Sequence, residues 1–458
     1  MGVSRSSQEL SNGGSTVCLL KEQMEIDPDH HNDEEVEESS GCPHLDGPDP
    51  SSFVPQPSGI PSEPQRQFMG RPTYTMTTPE FAVETIHPHS ELILILVEGM
   101  NEPGESGNPP EPPSWFDREL FDRGREFYRR YLSSVCFSNL LSLVFMMAPK
   151  RGLAPLIYTG QSDTPMKALK RYYSTLMHVV TWYTGDVWDP EDDAHKDVMS
   201  IRSIHGKVAR QCNAPEENEQ LRKIKVSERG HPEPESPFYP SIRDDLRHQT
   251  ESRLLSYNTE NPCLYLSQSD MALTQYAFMG LVVAHPEKLG AGAATEEEFA
   301  GFIHFWRGIG WLLGIDDKYN FCRGSVKETR ALCLEVEQKI ALAFLAEADW
   351  NYEHMATALL TGMSYIAKSM SFPAMFRYLA YTLDISVPSF VKRMSYRQCF
   401  YYWVWVITFK LMWFFPRLTS LTSYAFGSMV YHIRGKSHGK TIRNGVCPRA
   451  AASLMKHS

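Results

Sequence analysis

Two apolar segments each carry an Arg and a His three residues apart, and this spacing is the most informative chemical pattern in the chain. The first segment is Ser200–Arg210 (SIRSIHGKVAR) and the second is Phe302–Ile315 (FIHFWRGIGWLLGI). Both predict helices, and residues three apart share one helix face. Because Arg and His are costly to bury without a partner, the two pairs indicate a buried anionic or metal-bearing group between helices. A haem, with its iron and two propionates, fits that description.

A third segment, 267–278 (SQSDMALTQYAF), also places polar residues within an apolar helical pattern. Asp270 and Thr274 are four residues apart and so lie on one helix face. For Asp270 alone, the better interpretation is a capping residue at the start of a core helix. Thr274 or Gln275 could face a ligand.

The histidines in apolar helical contexts, His178, His205 and His304, are the candidate metal ligands, since imidazole is the commonest metal-binding side chain. For any one of them, a hydrogen-bonded core residue is the more frequent role. His195 follows an acidic run and is expected to be exposed, whereas His87 and His89 form at most a weak metal site in a loop. Neither G-x-S-x-G nor a P-loop occurs, and no G-x-G-x-x-G follows a strand, so the sequence gives no support to those enzyme classes.

Composition places the 458 residues in one large domain or two medium ones, with 42% hydrophobic residues to build a core. The formal net charge of -10 gives no support for nucleic-acid binding, and no protein partner is indicated. Nine scattered cysteines without C-x-x-C predict reduced thiols in a cytosol-facing protein. No signal peptide is recognisable, so we expect a protein that is not secreted.

The fold class predicted from periodicity is all-α, as a single large multi-helix domain over about 70–385. Residues 1–65 form an acidic tail rich in Ser, Gly and Pro, and this composition predicts disorder. The polar stretch 211–262 is expected to be a surface excursion.

Residues 386–458 change character and are predicted to be a membrane-associated helical segment followed by a basic tail. Cys399–Phe415 has a single charge, Lys410, and many aromatic residues. A spanning helix needs about 20 apolar residues, and Trp and Tyr favour the bilayer interface. These features favour a helix lying in a cytoplasmic leaflet over an ordinary core helix, which is the alternative.

Four pieces of the chain, in order, resemble the family of the latex-clearing rubber oxygenases and the ER-bound oxygenase of mycophenolic acid biosynthesis, which share one catalytic domain. The pieces span about 88–345 and are FDRGREF at 121–127, the Arg202-x-x-His205 element, QSDMALTQ at 268–275 and FWRGIGWLLGI at 305–315. The resemblance implies an all-helical fold of the rubber-oxygenase type around haem b. It also implies dioxygen-dependent attack on a carbon–carbon double bond of a lipophilic, isoprenoid substrate at an endoplasmic-reticulum membrane.

The resemblance also implies roles for individual residues. Arg202 is similar to the family's pocket arginine, and His205 stands where the rubber-cleaving enzymes have a distal lysine. The helix that carries their proximal histidine contains no histidine here, which leaves His205 as the expected iron ligand. The full predicted site comprises Arg202, Thr274 and Arg307 as catalytic residues, and His205, Arg202, Asp270, His304, Trp306 and Arg307 around the cofactor.

The missing histidine also keeps a second interpretation open. In that interpretation, the protein is a non-catalytic helical lipid-binding protein or membrane scaffold that has lost the haem. Arg202, His205 and Arg307 would then be buried polar residues paired with Asp or Glu.

Overall fold

The computed structural model describes residues 91–247, residue 249 and residues 264–437. The predicted acidic tail at 1–65, His87 and His89, and the basic residues after 437 lie outside the described residues. All regular elements in the described part are helices, which confirms the all-α prediction.

The order of the helices gives the frame for the site. After short helical turns at Glu91–Ile93, Leu94–Glu98 and Gly99–Asn101, the helices are α1 (Arg118–Met146), α2 (Lys150–Thr159), α3 (Pro165–Thr184), α4 (Asp193–Cys212), α5 (Pro215–Lys223), α6 (Tyr239–Leu246), α7 (Gln268–Ala284), α8 (Glu296–Leu312), α9 (Val326–Val336), α10 (Leu342–Ala346), α11 (Trp350–Met363), α12 (Phe372–Thr382), α13 (Pro388–Arg393), α14 (Tyr396–Phe414) and α15 (Pro416–Ser437). A π-helical turn, Glu337–Ala341, joins α9 to α10.

Several helices begin where their sequences supply a capping box. At α7 the cap is Ser267, and Asp270 is the third helical residue that bonds back to it, so Asp270 completes the cap and is not the cap itself. Thr295 with Glu298 starts α8 in the same way. Each box satisfies backbone N–H groups that the first helical turn leaves free.

The centre of the fold is α1, which packs along α8, α7 and α15. Its closest approach to α8 is at Gly124, where an added Cβ would overlap the backbone oxygen of Gly301. Phe121 and Phe127 pack beside this crossing on Phe305 and Phe302, with ring centroids 4.8 and 4.5 Å apart. The backbone of α1 is non-helical at Tyr131, so the helix bends after this crossing.

The described part of the polar stretch 211–262 is more than a surface excursion. It forms α5 and α6, and Leu221, Ile242 and Leu246 from these helices are buried. The sequence of this stretch is mostly polar, so its composition did not indicate that these few apolar residues would be buried in the core.

The C-terminal helix α14 has two different faces. Tyr402, Val406, Phe409 and Met412 are buried against the domain. On the other face Phe400, Trp403 and Ile407 are 64%, 50% and 54% exposed.

Among the described residues, no single helix meets the length and hydropathy expected of a membrane span. Only α1 and α2 taken together would, across a bend of 101°.

Candidate functional site

A cavity of about 1210 Å³ lies among α1, α2, α3, α4, α7, α8, α14 and α15. This exceeds the roughly 300–1,000 Å³ of ordinary ligand pockets. Of the seven residues of the full predicted site, four line the cavity: His205, Asp270, Thr274 and Trp306; the further candidates Gln275 and His178 line it as well. Four of the predicted residues therefore do share one internal space.

His205 is the first of the predicted residues on this wall. It lies on α4, and its Nδ1 is buried without a hydrogen-bond partner among the described residues. Burial lowers the pKa of the imidazole, and the nearby Arg171 guanidinium lowers it further. A lowered pKa keeps the ring neutral at physiological pH, and a neutral imidazole is the form that binds a metal.

Thr274 and Asp270 form the α7 part of the wall. The Thr274 hydroxyl donates to the backbone oxygen of Asp270 at 2.7 Å, and its own oxygen remains free to accept a hydrogen bond. The Asp270 carboxylate accepts from the Ser267 amide and hydroxyl, each at 3.0 Å. The rest of α7 at this point is buried, so the exposed Thr274 side chain faces the cavity.

Trp306 contributes an apolar surface with one polar atom. Its ring stacks on Phe278 with the centroids 4.9 Å apart. The indole Nε1 is buried and has no hydrogen-bond partner among the described residues. Burial raises the pKa of the Tyr183 hydroxyl, and the indole lies close enough to act against that rise, so Trp306 contributes chiefly its apolar ring to the wall.

Two arginines that the sequence analysis missed also line the cavity. Arg151 on α2 has Nε and Nη2 buried without a hydrogen bond, and its nearest described carboxylate oxygen, on Asp270, is 3.8 Å from Nη2. Arg171 on α3 makes one hydrogen bond to the described residues, from Nη1 to the Thr159 hydroxyl at 3.5 Å. A guanidinium has five N–H donors, so both retain unused capacity for an anion.

Arg202 does not reach the cavity, and its predicted place there is wrong. Its guanidinium forms a two-point ion pair with Glu105, in which Nε lies 2.6 Å from Oε2, and Nη1 also donates to the Asn108 backbone oxygen at 2.9 Å. Burial acts to raise the pKa of Glu105, but the hydrogen bonds from Arg202 and the Gly107 amide outweigh it, and the pKa is lowered. Arg202 borders an adjoining pocket of about 20 Å³, which shares His205, Leu266, Met271 and Leu313 with the cavity wall.

His304 and Arg307 are also turned away from the cavity, so the predicted convergence fails for them too. His304 Nε2 accepts from the Asp117 amide at 3.0 Å, and burial followed by the charge of Arg307 lowers the pKa of its ring. Arg307 donates to the Asp317 carboxylate at 3.0 and 2.7 Å and covers the Trp115 ring at 4.0 Å. His304 is thus satisfied by a residue 187 positions away, and Arg307 by a carboxylate ten positions away.

The remaining candidates have structural partners. Gln275 donates to the Trp306 backbone oxygen at 2.7 Å and accepts from the Phe321 amide at 2.9 Å. His195 is buried, not exposed as predicted, because its Nδ1 lies 2.8 Å from the Val187 backbone oxygen. His178 lines the cavity but is held 2.8 Å from Asp197.

Within the described residues, no three His, Cys, Asp or Glu side chains are placed to hold a metal ion together.

Comparison of the chain with protein-family models, with curated proteins and with solved structures finds no match.

Proposed function

We propose that the protein is a haem-dependent oxygenase that acts on a lipophilic substrate inside the cavity. The observation that carries the proposal is His205: a neutral imidazole with an unpartnered nitrogen, on the wall of a large, mostly apolar space. Such a space with a few convergent polar groups is typical of a cofactor or substrate site.

The residues on the wall fit haem b. His205 would hold the iron, and the Arg151 guanidinium, whose Nε and Nη2 make no hydrogen bond to the described residues, suits a propionate. Leu273, Ile309 and the Trp306 ring offer apolar surface for the porphyrin. Haem b, when bound, would supply the dioxygen-activating chemistry needed to break a carbon–carbon double bond, as in the isoprenoid chains that the family resemblance implies.

The chain's own groups have simpler tasks in this proposal. The Thr274 hydroxyl donates to the Asp270 backbone oxygen, and its own oxygen would accept a hydrogen bond from a ligand in the cavity. Met363, Met370 and Phe426 line the apolar remainder, where an aliphatic chain can lie away from water.

A second candidate function is that of a haem-free lipid-binding protein. It is favoured because other polar residues of the predicted site are already bonded to protein groups. Gln275 lies on the helix where the family resemblance implies a histidine ligand, and its amide is fully engaged in hydrogen bonds. Arg202 and Arg307 are both paired with carboxylates. In this case the cavity would hold a lipid alone.

We also propose that α14 attaches the protein to the cytosolic face of an intracellular membrane, of the endoplasmic reticulum by family resemblance. The exposed aromatic face of α14 supports this, since Trp and Tyr favour the bilayer interface. Residues 388–437 contain seven Lys and Arg residues and no Asp or Glu, which suits an anionic leaflet. Truncation after Val387 should release the protein from the membrane fraction of cells, and unchanged partitioning would refute the attachment.

Absorbance spectroscopy of the purified full chain tests the haem. We expect a Soret band, with haem quantified as the pyridine haemochrome. His205→Ala should abolish or strongly shift the band. His178→Ala is the matched control, because His178 lines the same cavity but is paired with Asp197, and it should leave the spectrum nearly unchanged.

A colourless, iron-free protein that still binds lipids would support the second function. If His205→Ala retains full haem with an unaltered spectrum, the ligand assignment is wrong.

A further inference from the structure

One face of α3 forms a basic stripe along the cavity. Lys167, Lys170, Arg171 and Ser174 are spaced at intervals of three, one and three residues, which places them on one side of a helix, and all four line the cavity. Lys167 is paired with Asp163 at 2.9 Å. Arg171 makes no ion pair with a described carboxylate, and Lys170 is exposed.

Another part of the wall has no charge. It is built from α14 and α15, through apolar side chains such as Trp405, Phe409, Met412 and Phe426. The cavity therefore has a cationic side and an apolar side.

We infer that the natural ligand of this cavity is an amphiphile: a lipophilic chain that carries a carboxylate or a phosphate, with the anion bound by Lys170 and Arg171. Guanidinium and ammonium groups bind such oxyanions by charge-assisted hydrogen bonds. A neutral hydrocarbon would leave the Lys170 ammonium and the Arg171 guanidinium without an anionic partner beside the apolar part of the wall. The inference rests on the proposed function in placing the substrate in the same cavity, and it names the class of substrate.

Matched pairs of probes test the inference on the full chain. Hexadecanoic acid is compared with its methyl ester, and farnesyl phosphate with farnesol, by displacement of a fluorescent fatty-acid analogue. Each anion should bind about tenfold or more tightly than its neutral partner, as expected for hydrogen bonds to a charged group. The pair with the larger preference identifies a carboxylate or a phosphate as the natural anion.

Variants then locate the anion. Lys170→Gln with Arg171→Gln should reduce the affinity for the acid to that for the ester and leave ester binding unchanged, which also shows that the fold is intact. Arg171→Lys keeps the charge and should keep most of the preference. Lys207→Gln with Arg210→Gln is the matched control, because these residues are also basic and exposed but do not line the cavity.

The outcomes separate this inference from the haem proposal. Equal affinity for anion and neutral partner, or a preference that persists in the double variant, would overturn the inference even in a haem-containing protein. A protein without a Soret band that still prefers the anion, through Lys170 and Arg171, would refute the haem proposal and support the inference.

Discussion

The arginines near the middle of the molecule fall into two groups that look alike in sequence and differ in environment. Arg202 and Arg307 lie on the faces of α4 and α8 that contact loops, and each forms a two-point ion pair with a carboxylate. Arg151 and Arg171 lie on the faces of α2 and α3 that line the cavity. Arg151 has one long ion pair, 3.8 Å from Nη2 to Asp270, and Arg171 has no ion pair with a described carboxylate. The first group is satisfied within the fold, whereas the second keeps N–H donors that a ligand could use.

This difference separates structural from ligand-binding cations. Removing one partner of a buried ion pair leaves the other charge buried and unpaired, which lowers the stability of the folded protein. Removing a buried cation that has no close partner removes its desolvation penalty and so raises the stability. Substitution of each arginine by Met, which keeps much of the apolar volume, should therefore have opposite consequences in the two groups.

The largest effect is expected for Arg202→Met. The substitution leaves Glu105 without its ion pair, and breaking a buried pair costs about 3–5 kcal/mol. Because the Glu105 side chain is 42% exposed, the free energy of unfolding should fall by roughly the lower figure or less. Urea unfolding measures the change, and Arg210→Met, an exposed site on the same helix, should alter stability by less than about 0.5 kcal/mol.

Arg307→Met should be the next most damaging. It removes two hydrogen bonds to Asp317 and the cation–π contact with Trp115. Because both charged side chains are partly exposed, we expect a loss of about 1–2 kcal/mol. Neither this variant nor Arg202→Met should lower the haem content of the folded protein, and a lost Soret band in either would break the comparison.

Arg171→Met should change the stability of the ligand-free protein by less than about 1 kcal/mol, in the direction of stabilisation. The same variant should weaken the binding of an anionic amphiphile. A destabilisation as large as that of Arg202→Met would show that Arg171 has a structural partner, and the division into two groups would fail.

The smallest expected effect is on the pH dependence of stability, through the buried histidines His304 and His205. Burial lowers the pKa of both His304 and His205 below the ordinary value of about 6.5. As the pH falls through that value, the unfolded chain takes up protons that the folded chain does not, so stability declines. Urea unfolding between about pH 8 and pH 5.5 should show a shallower decline for His304→Gln than for the unmodified protein. An identical slope would contradict the assignment of His304 as a buried neutral ring.

The sequence could predict the helical fold and part of the cavity. Periodicity is local information, and it identified the helices that carry His205, Asp270, Thr274 and Trp306. It could not identify the partner of Arg202, because Glu105 lies 97 residues away in a Pro/Gly-rich loop. The stripe on α3 was visible as basic residues at helical spacing, but a charged stripe normally faces water. Only the packing of α14 and α15 shows that this one faces a cavity.

The close crossing of α1 and α8 has a consequence for the size of the ligands. Gly124 and Gly301 hold the two backbones so near that neither helix can shift toward the other, and beyond the bend at Tyr131 the same α1 supplies Cys136 and Phe137 to the cavity. The part of the wall formed by Met412 on α14 and Met363 at the end of α11 is different, because these are flexible side chains that repack easily. We therefore expect a bulky ligand to be accommodated by repacking of these methionines and not by movement of α1 against α8.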